Sequence, residues 1–205
     1  MSKDELARYW QALDELQAIG RRWQMDFHAI RYLLMTGRRK EECLGLKWEQ
    51  LDFENGIVSY PNTKTGVKIF PLADVVIDAL KTVTRLKGCD YVFASLGRKN
   101  TPINEHTLYS LHEAICELAE IENLQIHDLR RTVGSQMRLA GVDLADVADI
   151  LGNADLSTTK KYYAHLGRDG LRKNTDMVAA IMAIARVNLS GACSFYRSGI
   201  CIASL

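Results

Sequence analysis

The sequence predicts a mainly α-helical domain with one small antiparallel β-sheet, an α+β fold. Three observations carry that prediction. Apolar residues recur at helical spacing along most of the chain. The period changes only around Ile57–Tyr60 and Lys68–Leu72, where two short strand-like runs flank Pro61-Asn62-Thr63-Lys64-Thr65-Gly66. An Asn55-Gly56 turn signal stands just before the first run, so the middle of the chain reads as a small sheet with Lys64 in or beside a hairpin loop.

The elements follow in order. Residues 3–19 form an amphipathic helix through Leu6, Tyr9, Trp10, Leu13 and Leu16. A second helix covers about 22–34, with Trp23, Phe27, Ile30, Leu33 and Leu34, and stops at Thr36-Gly37. A short third helix is expected over 38–46. After the sheet, helical spacing resumes over 74–86. Tyr91-Val92-Phe93 is a brief apolar segment, followed by a basic loop at Gly97-Arg98-Lys99-Asn100. Residues 104–120 form a helix with Leu108, Leu111, Ile115 and Leu118 inward. The central helix runs from about Leu129 to Ala140, and a short one from Leu144 to Leu151 closes at Gly152. Helices over 158–166 and 171–185 complete the domain, expected to span 1–186. The tail from about 187 to 205 is rich in Ser, Gly and Cys and reads as loosely ordered or as a strap onto a partner.

Hydrophobic residues make up 47% of the 205 and charged residues 25%, the balance of an ordinary globular protein with a substantial core. A net charge of +1 neither announces nor excludes a nucleic-acid partner. Local clustering says more: Arg38-Arg39-Lys40, Arg130-Arg131, Lys160-Lys161 and Arg172-Lys173 are basic groups, whereas acidic residues are scattered. The five cysteines are odd in number, widely spaced and without Cys-x-x-Cys, against both a disulfide framework and a zinc site. No signal peptide opens the chain and no apolar run reaches spanning length, so a reducing cytoplasm is the expected location.

The chemistry concentrates between Ile126 and Leu166. His127 and Arg130, three apart on a helix, project from one face and can converge on one small anion. Arginine offers a planar fork of donors suited to phosphate, and histidine exchanges a proton near neutrality. Downstream stand Gly152-Asn153 and two adjacent tyrosines, Tyr162 and Tyr163, either able to serve as a covalent nucleophile. There is no carboxylate cluster of the two-metal kind and no phosphate-cradling glycine-rich loop.

In this order, several segments resemble the catalytic domain of the tyrosine recombinases, the phage-integrase family. Thr36-Gly37-Arg38-Arg39-Lys40-Glu41-Glu42, with Leu44, Leu46 and Trp48 after it, is similar to the family's Thr-Gly-x-Arg-x-x-Glu motif. Thr63-Lys64-Thr65-Gly66 resembles the hairpin that carries its lysine, and His127-Asp128-Leu129-Arg130-Arg131-Thr132 its His-x-x-Arg box. Leu151-Gly152-Asn153 falls where the family has Leu-Gly-His, and Thr159 to Leu166 resembles the nucleophile helix. The resemblance covers about residues 4–180 and implies metal-independent DNA strand breaking and rejoining through a 3′-phosphotyrosine, with no cofactor.

It also implies roles. Arg39 and Arg130 would neutralise the non-bridging oxygens as fixed donors do in an oxyanion hole. Lys64 would protonate the leaving 5′-oxygen, with Lys68 a weaker substitute. His127 would orient the phosphate or assist proton transfer, and Glu42 would buttress Arg39 or His127. Arg38, Arg131, Lys160 and Lys161 would meet backbone phosphates, giving salt-sensitive and weakly specific binding. Adjacent helix positions point about 100° apart, so one tyrosine alone can face the phosphate. Counting from Asn153 suits Tyr162, while the Tyr-x-His-Leu pattern selects Tyr163, the favoured nucleophile.

Two departures stand out. Asn153 occupies a position where an imidazole or indole is expected; it can donate to phosphate but cannot shuttle a proton. The helical DNA-clamping domain that precedes the catalytic domain in the family is expected to be absent. The implied partners are double-stranded DNA and further copies of the chain, a tetramer in synapsis, with no membrane. The rival readings are a type IB topoisomerase-like nicking and resealing enzyme, and a catalytically impaired DNA-binding relative.

Overall fold

A computed structural model describes residues 1–20, 23–63, 66–140, 142–152 and 175–183. The first helix, α1 (Lys3–Ile19), opens with a reciprocal cap: Ser2 Oγ accepts from the Glu5 backbone N–H at 3.1 Å, and Glu5 Oε2 accepts from the Ser2 N–H at 2.6 Å. Helix α2 (Gln24–Thr36) is the axis of the domain. Ten of its thirteen residues are buried, because α1, α4 (Asp74–Lys81), α5 (Glu105–Leu118) and α6 (Ile126–Leu139) all pack against it. Phe27, Ile30 and Leu34 of α2 meet Tyr9 and Leu13 of α1, Leu108 and Leu111 of α5, and Leu129 and Val133 of α6 in one continuous core. No helix among the described residues is long and apolar enough to cross a membrane.

The sheet is antiparallel with order β1-β2-β3, from β1 (Leu51–Asp52), β2 (Ile57–Thr63) and β3 (Gly66–Pro71). Val58 pairs with Leu51 on one side and Phe70 on the other. Pro61 is tolerated inside β2 because β1 ends its pairing at Val58 and the register to β3 slips between Tyr60 and Thr63. The mainly helical fold with its three-stranded sheet thus matches the expectation from the sequence.

Several boundaries differ for identifiable reasons. The third helix, expected from residue 38, is only α3 (Lys40–Leu44). Gly37 ends α2 in the left-handed region (φ 63°), and Arg39 precedes α3 in extended conformation, its N–H held by Glu42 Oε2 at 2.9 Å. Helix α4 stops at Lys81 rather than near 86, where β-branched Thr82, Val83 and Thr84 follow and Thr82 Oγ1 donates to the Ala79 carbonyl at 2.7 Å. Leu118 was expected inward but is 45% exposed at the last turn of α5. Helix α6 begins at Ile126, three residues before the predicted start, because Asp128 Oδ2 accepts from the Gln125 N–H at 3.0 Å. Helix α7 (Leu144–Leu151) is capped by Asp143 and ends at left-handed Gly152, and residues 175–183 are helical. The helix expected over 158–166 and the tail lie outside the described residues.

Candidate active site

The site is built where four chain segments end: α2, α6, α7 and the strand β3. Arg130 lies on the buried side of α6 and donates through Nη1 to the Gly37 carbonyl at 2.8 Å. That contact needs the sharp turn at Gly37, where a Cβ would stand 2.6 Å from Leu151 Cδ2. Burial foremost, and then the neighbouring guanidiniums of Arg39 and Arg38, bring the Arg130 pKa down to about 10. A bound anion would relieve that arrangement.

Arg39 is the more open of the two, with its side chain 39% exposed. Nη1 donates to Glu42 Oε1 at 3.1 Å, and Nη1 and Nη2 both reach the Gly152 carbonyl at 3.4 Å. Glu42 therefore holds Arg39 at both its backbone and its side chain. Gly152, at φ 70°, is the mirror of Gly37: a Cβ would lie 2.7 Å from Phe70 Cζ. Lys68 Nζ donates to the same Gly152 carbonyl at 3.1 Å, which brings β3, α7 and the Arg39 segment to one oxygen.

His127 sits in the first turn of α6, exposed, and shares with Arg130, Arg39, Arg38, Lys40 and Tyr109 a pocket of about 200 Å³. Exposed Arg131 pairs with Asp128 at 2.8 Å. Arg38, expected at backbone phosphates, is buried: its guanidinium lies 3.6 Å over the Phe70 ring and Nη1 has no hydrogen-bond partner among the described residues. It packs Phe70 rather than facing solvent. Lys64, Asn153, Lys160, Lys161, Tyr162 and Tyr163 lie outside the described residues.

Two residues that line the pocket, Lys40 and Tyr109, are not among the site candidates read from the sequence. Lys40 Nζ is linked to Glu105 and lies 3.3 Å from Tyr109 Oη, which ties α3 to α5 beside His127. The signal for Tyr109 was an aromatic residue on α5 one turn after Glu105, placed to share its neighbours. The contact of Lys68 with the Gly152 carbonyl depends on the tertiary approach of α7, which no local pattern in the sequence reports. No group of His, Cys, Asp and Glu that could hold a metal occurs among the described residues.

A recess lined by the side chains of Arg39, Arg130, His127 and Lys40 has the donor chemistry to hold a tetrahedral oxyanion. Residues 1–168 match the phage integrase family, and the chain belongs to that family. Among curated relatives, the prophage integrase IntF of Escherichia coli (strain K12) is 29% identical over 149 residues, covering 70% of this chain and 31% of that protein. The tyrosine recombinase XerC of Staphylococcus aureus (strain JH9) is 27% identical over 149 residues, covering 70% of this chain and 50% of that one. This chain thus spans half or less of the length of these relatives. The crystal structure of the XerH site-specific recombinase in a post-cleavage complex with its palindromic difH substrate superposes with a TM-score of 0.64. It is 22% identical and covers 84% of this chain and 51% of that one, a likeness of fold.

Proposed function

We propose that this chain is the catalytic part of a site-specific DNA recombinase that cuts and rejoins strands through a 3′-phosphotyrosine, without a metal or cofactor. The observation that carries the reading is the convergence of Arg39 with His127 and Arg130, from two widely separated stretches of sequence, on one basic pocket in a chain of the phage integrase family. In the reaction, the hydroxyl oxygen of one of the paired tyrosines attacks the scissile phosphorus. The P–O5′ bond breaks as the new O–P bond forms, and the energy of the phosphodiester is kept in the adduct. Arg39 and Arg130 meet the non-bridging oxygens, where charge grows in the transition state. His127 assists departure of the tyrosine proton, Lys64 gives a proton to the 5′-oxygen, and Asn153 donates a hydrogen bond to the phosphate. Rejoining runs the same steps backwards, with a 5′-hydroxyl as the attacking group.

Double-stranded DNA is the proposed substrate. Arg131, Lys160 and Lys161 would meet its backbone, and further copies of the chain would assemble as a tetramer during exchange. The test is a nicked suicide duplex drawn from a random-sequence pool, which traps any covalent protein–DNA adduct. Wild type, Tyr162→Phe and Tyr163→Phe are run side by side. An adduct formed by wild type and lost in one variant alone, expected for Tyr163→Phe, identifies the nucleophile. Loss in Tyr162→Phe alone assigns the chemistry to Tyr162 instead. DNA bound without an adduct in any of the three overturns the enzymatic reading.

A further inference from the structure

We propose that Lys68 is a further phosphate-facing cation of this site, set beside Arg39 by the carbonyl the two share. The inference rests on the reading of the chain as a DNA strand-transfer enzyme and adds a residue to it.

The first observation is the phase of β3. A strand on the edge of a core places alternate residues on opposite faces, with apolar residues inward. Here Val67 and Ile69 are the exposed ones, at 63% and 51%, while Phe70 is buried and Lys68, two residues before it, lies on the Phe70 side. The pattern is inverted: a lysine occupies an inward position and two β-branched hydrophobes face out. A one-residue shift of register would reverse this and bury both apolar side chains. The pairings Val58–Phe70, Ser59–Ile69 and Tyr60–Lys68 hold the strand against that shift.

The second observation is where the inward lysine goes. Its ammonium donates to Gly152 O at 3.1 Å, the oxygen that both terminal nitrogens of Arg39 reach at 3.4 Å. An ammonium and a guanidinium meeting on one neutral oxygen are no farther apart than the sum of those contacts. A single phosphate, with hydrogen bonds of about 2.8 Å on either side, spans that separation. A carbonyl carries only a partial charge, whereas a phosphate carries a full one. Charge-assisted bonds are roughly twice as strong as neutral ones, so a phosphate entering beside Arg39 competes well for both cations. The approach is fixed from behind: Phe70 touches Gly152 where a Cβ would stand and is itself covered by the Arg38 guanidinium.

A lysine that only braced Gly152 would alter the rate of the chemistry and leave the ionic character of DNA binding alone. A lysine that meets a phosphate adds its own term to the salt dependence of binding, about 0.9 in the slope of log affinity against log salt concentration. The experiment measures binding of a short labelled duplex by fluorescence anisotropy across a salt series, for wild type, Lys68→Gln and Lys68→Arg. Thermal unfolding of each confirms a folded protein. We expect Lys68→Gln to lower the slope by about one and Lys68→Arg to keep it. An unchanged slope in folded Lys68→Gln overturns the proposal and leaves Lys68 as a brace for Gly152. Adduct trapping on the same proteins separates the two readings. A wild type that binds DNA but forms no adduct removes the enzymatic function, while the slope still decides Lys68. A wild type that binds no DNA at any salt removes both.

Discussion

The Gly37 corner and the Gly152 corner each turn a left-handed glycine so that its carbonyl meets an arginine from a distant segment, but their surroundings are opposite. At Gly37 the arginine is Arg130, buried to 7% exposure, and its short bond to the glycine carbonyl joins α2 and α6, the two helices that share the centre of the core. At Gly152 the carbonyl meets Arg39 and Lys68 through longer contacts, with Arg39 partly open to solvent. The first corner presets one cation by packing. The second gathers two that have room to change partner, and the next residue in the chain is Asn153, which leads to the tyrosines. A strand-transfer site needs both: fixed charge for the transition state, and cations that respond when a phosphate arrives.

The largest expected effect separates the corners by what stands in the way of a side chain. Gly37→Ala and Gly152→Ala each force a residue with a Cβ into the left-handed region, costing about 1–2 kcal/mol. At Gly37 the nearest obstacle is a terminal methyl of Leu151, which can rotate. At Gly152 it is the Phe70 ring, held between Arg38 and the Tyr60 ring, 6.0 Å away centroid to centroid. Overpacking against a pinned ring adds about 1–3 kcal/mol. Gly152→Ala should therefore lose more stability in urea unfolding than Gly37→Ala. The reverse order would mean that the Phe70 side yields and the distinction between the corners is wrong.

The arginines give the second test, smaller and of unusual sign. The charge of Arg130 is opposed by burial and by Arg39 and Arg38, so the fold carries it at a cost. Replacing it with methionine removes that cost and gives up the polar contacts of the guanidinium, the hydrogen bond to Gly37 O among them. The net expectation is a gain on the order of 1 kcal/mol in unfolding free energy, together with loss of adduct formation. Arg39→Met gives up a partly exposed pair with Glu42, worth under about 1 kcal/mol, and should be neutral to slightly destabilising while also losing the adduct. An Arg130→Met protein that is markedly less stable would show Arg130 to be structural first.

The contrast also explains what could be read from the sequence. Helix α1, the Thr36-Gly37 stop, the pairing of β2 with β3 and the end of α7 at Gly152 all follow from local signals: apolar period, glycine and turn residues. His127 and Arg130 were legible because they lie three apart on one helix. Arg39 came from its motif, but its position ahead of α3 rather than within it depends on Glu42 reaching back, a side-chain contact the helical period does not encode. Arg38 looked like its neighbour Arg39 in one dimension. Only the approach of β3 makes it a buried partner of Phe70. Lys68 and Tyr109 show the same limit: their partners are 84 and 69 residues away, and no local pattern reports such distances.

The smallest effect concerns the start of α6, the helix that carries Arg130 to the Gly37 corner. His112 is buried on α5, and its Nε2 lies 3.0 Å from the Leu124 carbonyl. A carbonyl only accepts, so Nε2 carries the hydrogen, and Nδ1 is left to accept from Tyr9 Oη at 2.7 Å. This neutral ring fixes the residues that lead into α6 and so the position of His127. Burial lowers the His112 pKa below its usual 6.5. The unfolded chain then binds the proton that the folded one refuses, so this contribution is complete above pH 6.5 and declines as pH falls towards the folded value. One such group accounts for at most about 0.7 kcal/mol between pH 7 and pH 6. His112→Leu should be less stable at pH 7, with Leu124 O and Tyr9 Oη left unpaired, and its unfolding free energy should fall less than that of wild type over the same interval. If the two proteins lose stability in parallel, the imidazole takes up its proton alike in the folded and unfolded chains, and the fold does not hold His112 neutral between Tyr9 and Leu124.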